Sequence, residues 1–138
     1  MAESNTNENL FALQIITPER IFYEGQVDMV EFNTSEGEIG IYKNHVPMTV
    51  IVAPGVLSIW EGETEKKAAL HSGFVEILPE KVTILAELIE WPNEIDESRA
   101  ESAADRARAR IAARGDDVDI DRAQIALMRS VARINALH

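Results

Sequence analysis

The hydrophobic periodicity of this chain changes once, at Trp91-Pro92, and the change predicts two structural units. Before this point, short apolar or alternating runs are separated by turn residues such as Pro54-Gly55. After it, apolar residues recur at helical spacing. Pro92 cannot donate a hydrogen bond to a sheet and restricts the residue before it, so it marks a boundary. We therefore expect a disordered tail over residues 1–9, a β-domain over 10–91 and a helical unit over 92–138.

The predicted strands of the first unit are short and closely spaced. No helical pattern of about 10–15 residues lies between them to connect parallel strands. A turn at Ser72-Gly73 is expected to separate two of the runs. This pattern favours an antiparallel β-sandwich. The runs are Leu10–Ile16, Val27–Phe32, Met48–Val52, Val56–Trp60, Ala68–His71, Phe74–Leu78 and Val82–Ala86.

The second unit contains two alanine-rich helical patterns. Asp96 and Asp119 are the expected N-caps, and Arg114-Gly115 is a helix stop. Because the connection is short, the helices must run antiparallel, as an αα-hairpin. The apolar stripes are Ala100, Ala103, Ala104, Ala107 and Ile111 on the first helix, and Ile120, Ala123, Leu127, Val131 and Ile134 on the second.

Charge is divided unevenly between the two units. The net charge is −11, from 24 acids against 13 lysines and arginines. From Asp96 onward there are eight acids and eight arginines, so the whole excess lies in the first 95 residues. An acidic first unit disfavours binding to nucleic acid or to anionic lipid. No apolar run reaches the ~18–20 residues that span a bilayer, and we expect a soluble chain.

Arginines form one row on each predicted helix. The spacing i, i+7, i+11 places each row on a single helix face. One interpretation is a solvated face with ion pairs to nearby acids. The other is an anion site, because arginine forks bind phosphate oxygens in bidentate fashion. The rows are Arg99, Arg106 and Arg110, and Arg122, Arg129 and Arg133.

The sequence carries no recognisable catalytic motif. It lacks a glycine-rich phosphate loop, a dinucleotide fingerprint and a Gly-x-Ser-x-Gly elbow. There is no cysteine, so disulfides and thiolate metal sites are excluded. The histidines have no metal-ligand spacing, and His45 and His71 are interpreted as structural. We therefore expect neither an enzyme nor a metal site.

Several segments, taken in order, are similar to one known family. They resemble the epsilon subunit of F-type ATP synthases, and the resemblance extends from Leu10 to Leu137. Tyr42-Lys43-Asn44 departs from it, since many members have Leu-Pro-Gly there. The segments are Gly37-Glu38-Ile39-Gly40-Ile41, Asn44-His45-Val46-Pro47-Met48, Pro54-Gly55-Val56, Ser72-Gly73-Phe74-Val75-Glu76, Val82-Thr83-Ile84-Leu85-Ala86 and Glu94-Ile95-Asp96-Glu97-Ser98-Arg99-Ala100.

The resemblance implies a non-catalytic rotor subunit of the central stalk. Its β-sandwich would bind the gamma subunit and rest on the c-subunit ring, coupling ion-driven rotation to ATP synthesis. The hairpin would inhibit ATP hydrolysis when it extends toward the alpha and beta subunits of the catalytic head. The protein would lie at the cytoplasmic face of the cell membrane, attached only through the complex. No cofactor is required.

The resemblance also implies a regulatory ATP. In some bacterial members the folded hairpin binds ATP through Ile/Leu-Asp-x-x-Arg-Ala, which is matched by Ile95, Asp96, Arg99 and Ala100. Arginines would meet the phosphates, while acidic residues would orient the adenine or ribose. The alternatives are a stand-alone nucleotide-binding sensor module, or an epsilon subunit whose hairpin neither binds ATP nor inhibits. The further implied ATP ligands are Glu90, Arg106, Arg129 and Arg133.

Overall fold

A computed structural model describes residues 9–113 and 119–138. It confirms the expected fold class, an N-terminal β-sandwich followed by a two-helix hairpin. Residues 1–8 of the predicted tail, and the predicted helix stop at Arg114-Gly115, lie outside the described residues. The elements are β1 (Phe11–Ile16), β2 (Ile21–Val27), β3 (Met29–Thr34), β4 (Gly37–Ile41), β5 (Met48–Ile51), β6 (Gly55–Glu61), β7 (Thr64–Ile77), β8 (Lys81–Glu90), a 3₁₀ turn (Pro92–Glu94), α1 (Glu97–Ala113) and α2 (Ile120–Ala136).

The strands are ordered β2-β1-β8-β7-β6-β3-β4, and β5 also pairs with β7. These pairs are antiparallel except β1 with β8, which run parallel. Along β1, every second residue is buried, as expected for a strand with one face toward a core. The core includes the fully buried side chains of Phe11, Phe32, Leu13, Ile15, Ile41, Leu57, Ile59, Leu70, Ile77 and Ile84.

The predicted turn at Ser72-Gly73 is wrong. β7 runs through it without interruption, and the irregularity is a bulge in its pairing with β8. The register passes from Leu70 opposite Ile89 to Gly73 opposite Ala86. Both strands advance by three residues between these two pairs, so the shifts on the two sides of Ser72 cancel. Across this irregularity the core-facing positions of β7 change from Ala68 and Leu70 to Val75 and Ile77.

Two further strands are not predicted by the apolar pattern. β2 reads IFYEGQV and β4 reads GEIGI, so both carry glycine and acidic residues inside the strand. Pairing with β1 and β3 outweighs this weak local preference, because strand propensity depends on the cross-strand neighbours.

Asn44 shows how the chain accommodates its departure from the family pattern. Its backbone φ is +66°, in the left-handed region. Glycine is the usual residue there, and asparagine tolerates the conformation better than most others. The turn after β4 is therefore compatible with the Tyr42-Lys43-Asn44 sequence.

Both expected helix caps are present. The Asp96 Oδ1 accepts a hydrogen bond from the Arg99 backbone N–H at 3.1 Å, and Asp119 Oδ1 accepts one from the Arg122 N–H at 3.0 Å. Each helix has 17 residues. Among the described residues, neither helix is long and apolar enough to cross a membrane.

The helices pack on each other, and α2 also packs on β6 and β7. The helix interface consists largely of alanines, which bury little apolar area per contact. The contact between α2 and the sheet is incomplete, because a groove of about 660 Å³ separates residues such as Leu127 and Val131 from β3 and β6. The hairpin is therefore folded against the sandwich through contacts that bury little apolar area. The buried alanines are Ala100, Ala104, Ala107, Ala123, Ala132 and Ala136.

Candidate functional site

A cavity of about 460 Å³ lies where the end of β8, the 3₁₀ turn and both helices meet. Three carboxylates and three guanidinium groups line it. Its lining residues are Glu90, Glu94, Ile95, Asp96, Arg99, Ala100, Ala103, Arg106 and Arg133.

The structure brings together every site residue that the resemblance implied except Arg129. That residue does not line the cavity, and its Nε is buried without a hydrogen-bond partner among the described residues. Of the second arginine row, only Arg133 reaches the cavity, while Arg110 of the first row and Arg122 of the second do not. The two rows therefore converge only in part.

Arg99 and Arg106 are the free cations of the cavity. They lie seven residues apart, two turns along one face of α1, and both are exposed. In the described part of the chain, neither forms an ion pair; the one pair within α1 joins Arg108 to Asp105. The interpretation as a row of internally paired charges therefore does not hold for these two arginines, whose guanidinium groups are available to an anion.

Glu90 connects the sandwich to the hairpin. Its Oε1 accepts a hydrogen bond from His71 Nε2 at 2.8 Å and from Arg133 Nε at 2.7 Å. Burial raises the pKa of Glu90, but the bonds from His71 and Arg133 outweigh it, and the net pKa is below the ordinary 4.5. The ionised carboxylate therefore supports the docked hairpin at neutral pH. This support is lost only as the pH falls through the lowered pKa.

Glu94, on the 3₁₀ turn, also lines the cavity and is held by two donors. The Trp91 backbone N–H and the Arg20 guanidinium both donate to its carboxylate, at 2.9 Å and 2.7 Å. These bonds, first the one from Trp91, lower the pKa of Glu94. Arg20, which does not line the cavity, compensates much of the charge of Glu94, so this acid adds little net negative charge to the site.

Sequence reasoning missed Glu94, Ala103 and the role of His71. Ala103 lies on the same helix face as Arg99 and Arg106, so the periodicity contained its signal. Glu94 stands three residues after the turn start at Trp91, a spacing typical of capping. Nothing local distinguished His71. It is 1% exposed because α2 covers the outer face of β7.

The charged lining of the cavity contains groups of the type that bind anions. Within residues 9–113 and 119–138, no group of three histidine or acidic side chains is placed to hold a metal ion. Two free guanidinium groups, with a third held by Glu90, supply forked donors suited to phosphate oxygens. The arrangement can bind a polyanion between the hairpin and the sandwich.

Comparison with known proteins agrees with the fold. The family model described as ATP synthase, Delta/Epsilon chain, beta-sandwich domain matches residues 10–92, and that of the long alpha-helix domain matches residues 93–138. The chain is 40% identical over 124 residues to the ATP synthase epsilon chain of Halalkalibacterium halodurans, covering 89% of this chain and 93% of that one. It is 44% identical over 126 residues to the ATP synthase epsilon chain of Clostridium novyi, covering 90% and 95%.

A solved structure shares the architecture. A chain in the mitochondrial ATP synthase of Euglena gracilis, a structure of its OSCP, F1 and c-ring, superposes with a TM-score of 0.80 at 24% identity. The match covers 94% of this chain and 82% of that chain. At this level of identity the likeness concerns the fold.

Proposed function

The chain belongs to the delta/epsilon family of ATP synthase subunits, and on that premise we propose that it is a non-catalytic rotor subunit of the bacterial epsilon type. It joins the central stalk to the c-subunit ring and couples ion-driven rotation to ATP synthesis. In this role it is peripheral to the cytoplasmic face of the membrane, held there through the complex.

An exposed row of apolar side chains on the outer face of the sandwich supports the proposal that this subunit has a permanent protein partner. Ile51 pairs with Phe74, Phe74 with Leu85, Leu85 with Ile16, and Ile16 with Ile21, across five neighbouring strands. Ile51 is 69% exposed and Ile21 is 60% exposed. A contiguous exposed apolar surface of this kind marks a protein interface. We assign it to the gamma subunit.

Charges placed in this row should weaken binding to gamma. The variant Ile51→Glu/Phe74→Glu buries two carboxylates at the interface, and we expect an affinity loss of roughly tenfold or more. Both positions are exposed in the isolated chain, so folding should be unaffected. Co-purification with gamma measures the effect, and Ile125→Glu, an exposed position on α2, is the matched control. Binding equal to wild type would remove the row from the interface. Absence of gamma binding by wild type would instead favour a stand-alone sensor module.

The hairpin provides the regulatory part of the proposal. It docks through small alanine contacts, an incompletely filled groove and the pair of Glu90 with Arg133, all of which are weak enough to separate without unfolding the sandwich. Released and extended, its arginines would face the acidic surface of the catalytic head, where charge complementarity favours contact. In that state the hairpin would block ATP hydrolysis.

The charged cavity supports the proposal that ATP is the regulatory ligand. A triphosphate bound there would contact Arg99 and Arg106 on α1, Arg133 on α2 and Glu90 on β8 at once. Because these groups come together only in the folded hairpin, the ligand would favour that state by its differential affinity. At 100 times its Kd, such a ligand stabilises the folded form by about 2.7 kcal/mol. That free energy is enough to shift the equilibrium between the folded and the extended hairpin if the two states differ little in free energy.

Calorimetric titration of ATP into the isolated full chain tests this directly. We expect saturable binding, with ADP weaker because it lacks one phosphate for the arginines. Titrations with and without magnesium establish which form binds. No heat of binding up to millimolar ATP would contradict nucleotide sensing, while leaving the rotor assignment to the gamma experiment.

A further inference from the structure

One carboxylate oxygen joins a buried imidazole to a cation of the hairpin. Glu90 Oε1 accepts hydrogen bonds from both His71 and Arg133, while its Oε2 accepts none from the described residues. The His71 side chain is 0% exposed, and its Nδ1 has no hydrogen-bond partner in the described part of the chain. Within the described residues, the hydrogen bond to Glu90 is therefore the one that joins the imidazole to the lining of the charged cavity.

Without a ligand, Glu90 already forms an ion pair with Arg133, so an incoming anion must compete with Glu90 for that guanidinium. When phosphate oxygens engage Arg133, Glu90 loses part of its counter-charge and gains a negative neighbour. Both changes favour proton uptake by a carboxylate–imidazole pair. A proton added at His71 Nδ1 would then supply the missing positive charge, while the Nε2–H continues to donate to the carboxylate.

The other charged groups at the cavity do not remove this effect. Glu94, on the 3₁₀ turn, repels Glu90 and so acts in the same direction, although Arg20 compensates much of its charge. Asp96, before α1, adds a second negative group at the cavity. Arg99 and Arg106 oppose proton uptake in the empty site, but a bound triphosphate would neutralise both.

We propose that binding of a nucleoside triphosphate at Arg133 is coupled to uptake of a proton by the His71–Glu90 pair. The inference rests on the proposed nucleotide site and makes His71 a positioning residue that acts through Glu90. Affinity for the triphosphate then rises as the pH falls, by at most about tenfold per pH unit for one proton. Acidification with ATP present would hold the hairpin folded.

Calorimetric titration of ATP into the protein in buffers of different ionisation enthalpy measures the number of protons taken up on binding. The titrations are made at about pH 6.5, where histidines titrate. In His71→Gln the amide nitrogen still donates to Glu90 but does not protonate. We expect wild type to take up more protons than His71→Gln, by up to about one per nucleotide. Protonation of ATP itself is common to both titrations and cancels. His138→Gln, which removes an exposed histidine paired with Glu97, should behave as wild type. Equal proton numbers in wild type and His71→Gln would overturn the inference.

A second measurement needs no nucleotide. The ring resonances of His71 are followed by NMR against pH in wild type and in Arg133→Gln. This variant removes the positive charge that a bound phosphate would engage. We expect the midpoint to move to higher pH in the variant. An unchanged midpoint would overturn the coupling even if ATP binds. A raised midpoint without any ATP binding would overturn the nucleotide proposal and leave only the linkage between Arg133 and the pair.

Discussion

Gly73→Ala is expected to lower the free energy of unfolding by about 3 kcal/mol or more, with a fall in Tm of roughly 10 °C. Gly73 has a φ of +140°, which L side chains rarely adopt. A Cβ added there would lie 2.2 Å from the Leu85 carbonyl oxygen and 2.9 Å from the Ala86 Cα. Because both obstacles are backbone atoms, relief requires β7 and β8 to separate at the bulge. Chemical denaturation followed by circular dichroism measures the loss.

The matched control is Gly62→Ala, in the turn between β6 and β7. Its φ of +63° is also left-handed, but no atom lies within 4 Å of the added Cβ. We expect only the conformational penalty, about 1 kcal/mol. Equal effects of the two variants would show that backbone conformation, and not the close approach of β8, explains the glycine at the bulge.

Arg99→Gln/Arg106→Gln should have the largest effect on ligand binding. Each guanidinium would make charge-assisted bonds to phosphate, worth about 1.5–3 kcal/mol. Loss of both predicts an ATP affinity at least about 100-fold lower. Since neither side chain forms an ion pair among the described residues, stability should change little, and the two effects are separable. Calorimetry gives the affinity and thermal unfolding gives the stability.

The control for charge alone is Arg110→Gln/Arg122→Gln, which neutralises two arginines of the same rows that do not line the cavity. We expect ATP affinity near that of wild type, apart from a small, salt-sensitive loss from the general field. An equal loss in the two double variants would mean that net charge attracts the nucleotide, and that the cavity does not bind it. The role of Arg129 stays a prediction from the resemblance.

Local sequence features were sufficient to predict both helices. Trp91-Pro92 interrupts the strand pattern, and Asp96 and Asp119 cap helices by bonds within three residues of themselves. Such interactions depend on neighbours in the chain, so the sequence contains them directly. The strands β2 and β4 and the bulge at Gly73 depend instead on partners from other strands, and the apolar pattern did not predict them.

The residues of the candidate site also divide into those that the sequence pattern indicated and those that only tertiary packing placed. Arg129 and Arg133 are four residues apart on one helix face, and periodicity cannot separate them. How α2 lies on the sheet places Arg133 in the cavity and leaves Arg129 outside it. His71 gave no signal at all, because its burial depends on a helix about 50 residues later in the chain.

The sequence by itself determined the β-rich and helical segments, their order, the antiparallel hairpin and the arginine rows, since these follow from periodicity, caps and composition, while the nucleotide ligand set was implied by the family resemblance. Only the tertiary structure decided which charges meet. It joined Glu90 to both His71 and Arg133, left Arg99 and Arg106 without an ion pair among the described residues, and aligned the apolar row over five strands. These contacts link residues far apart in the chain. Their partners are chosen by strand register and helix packing, which no local pattern encodes.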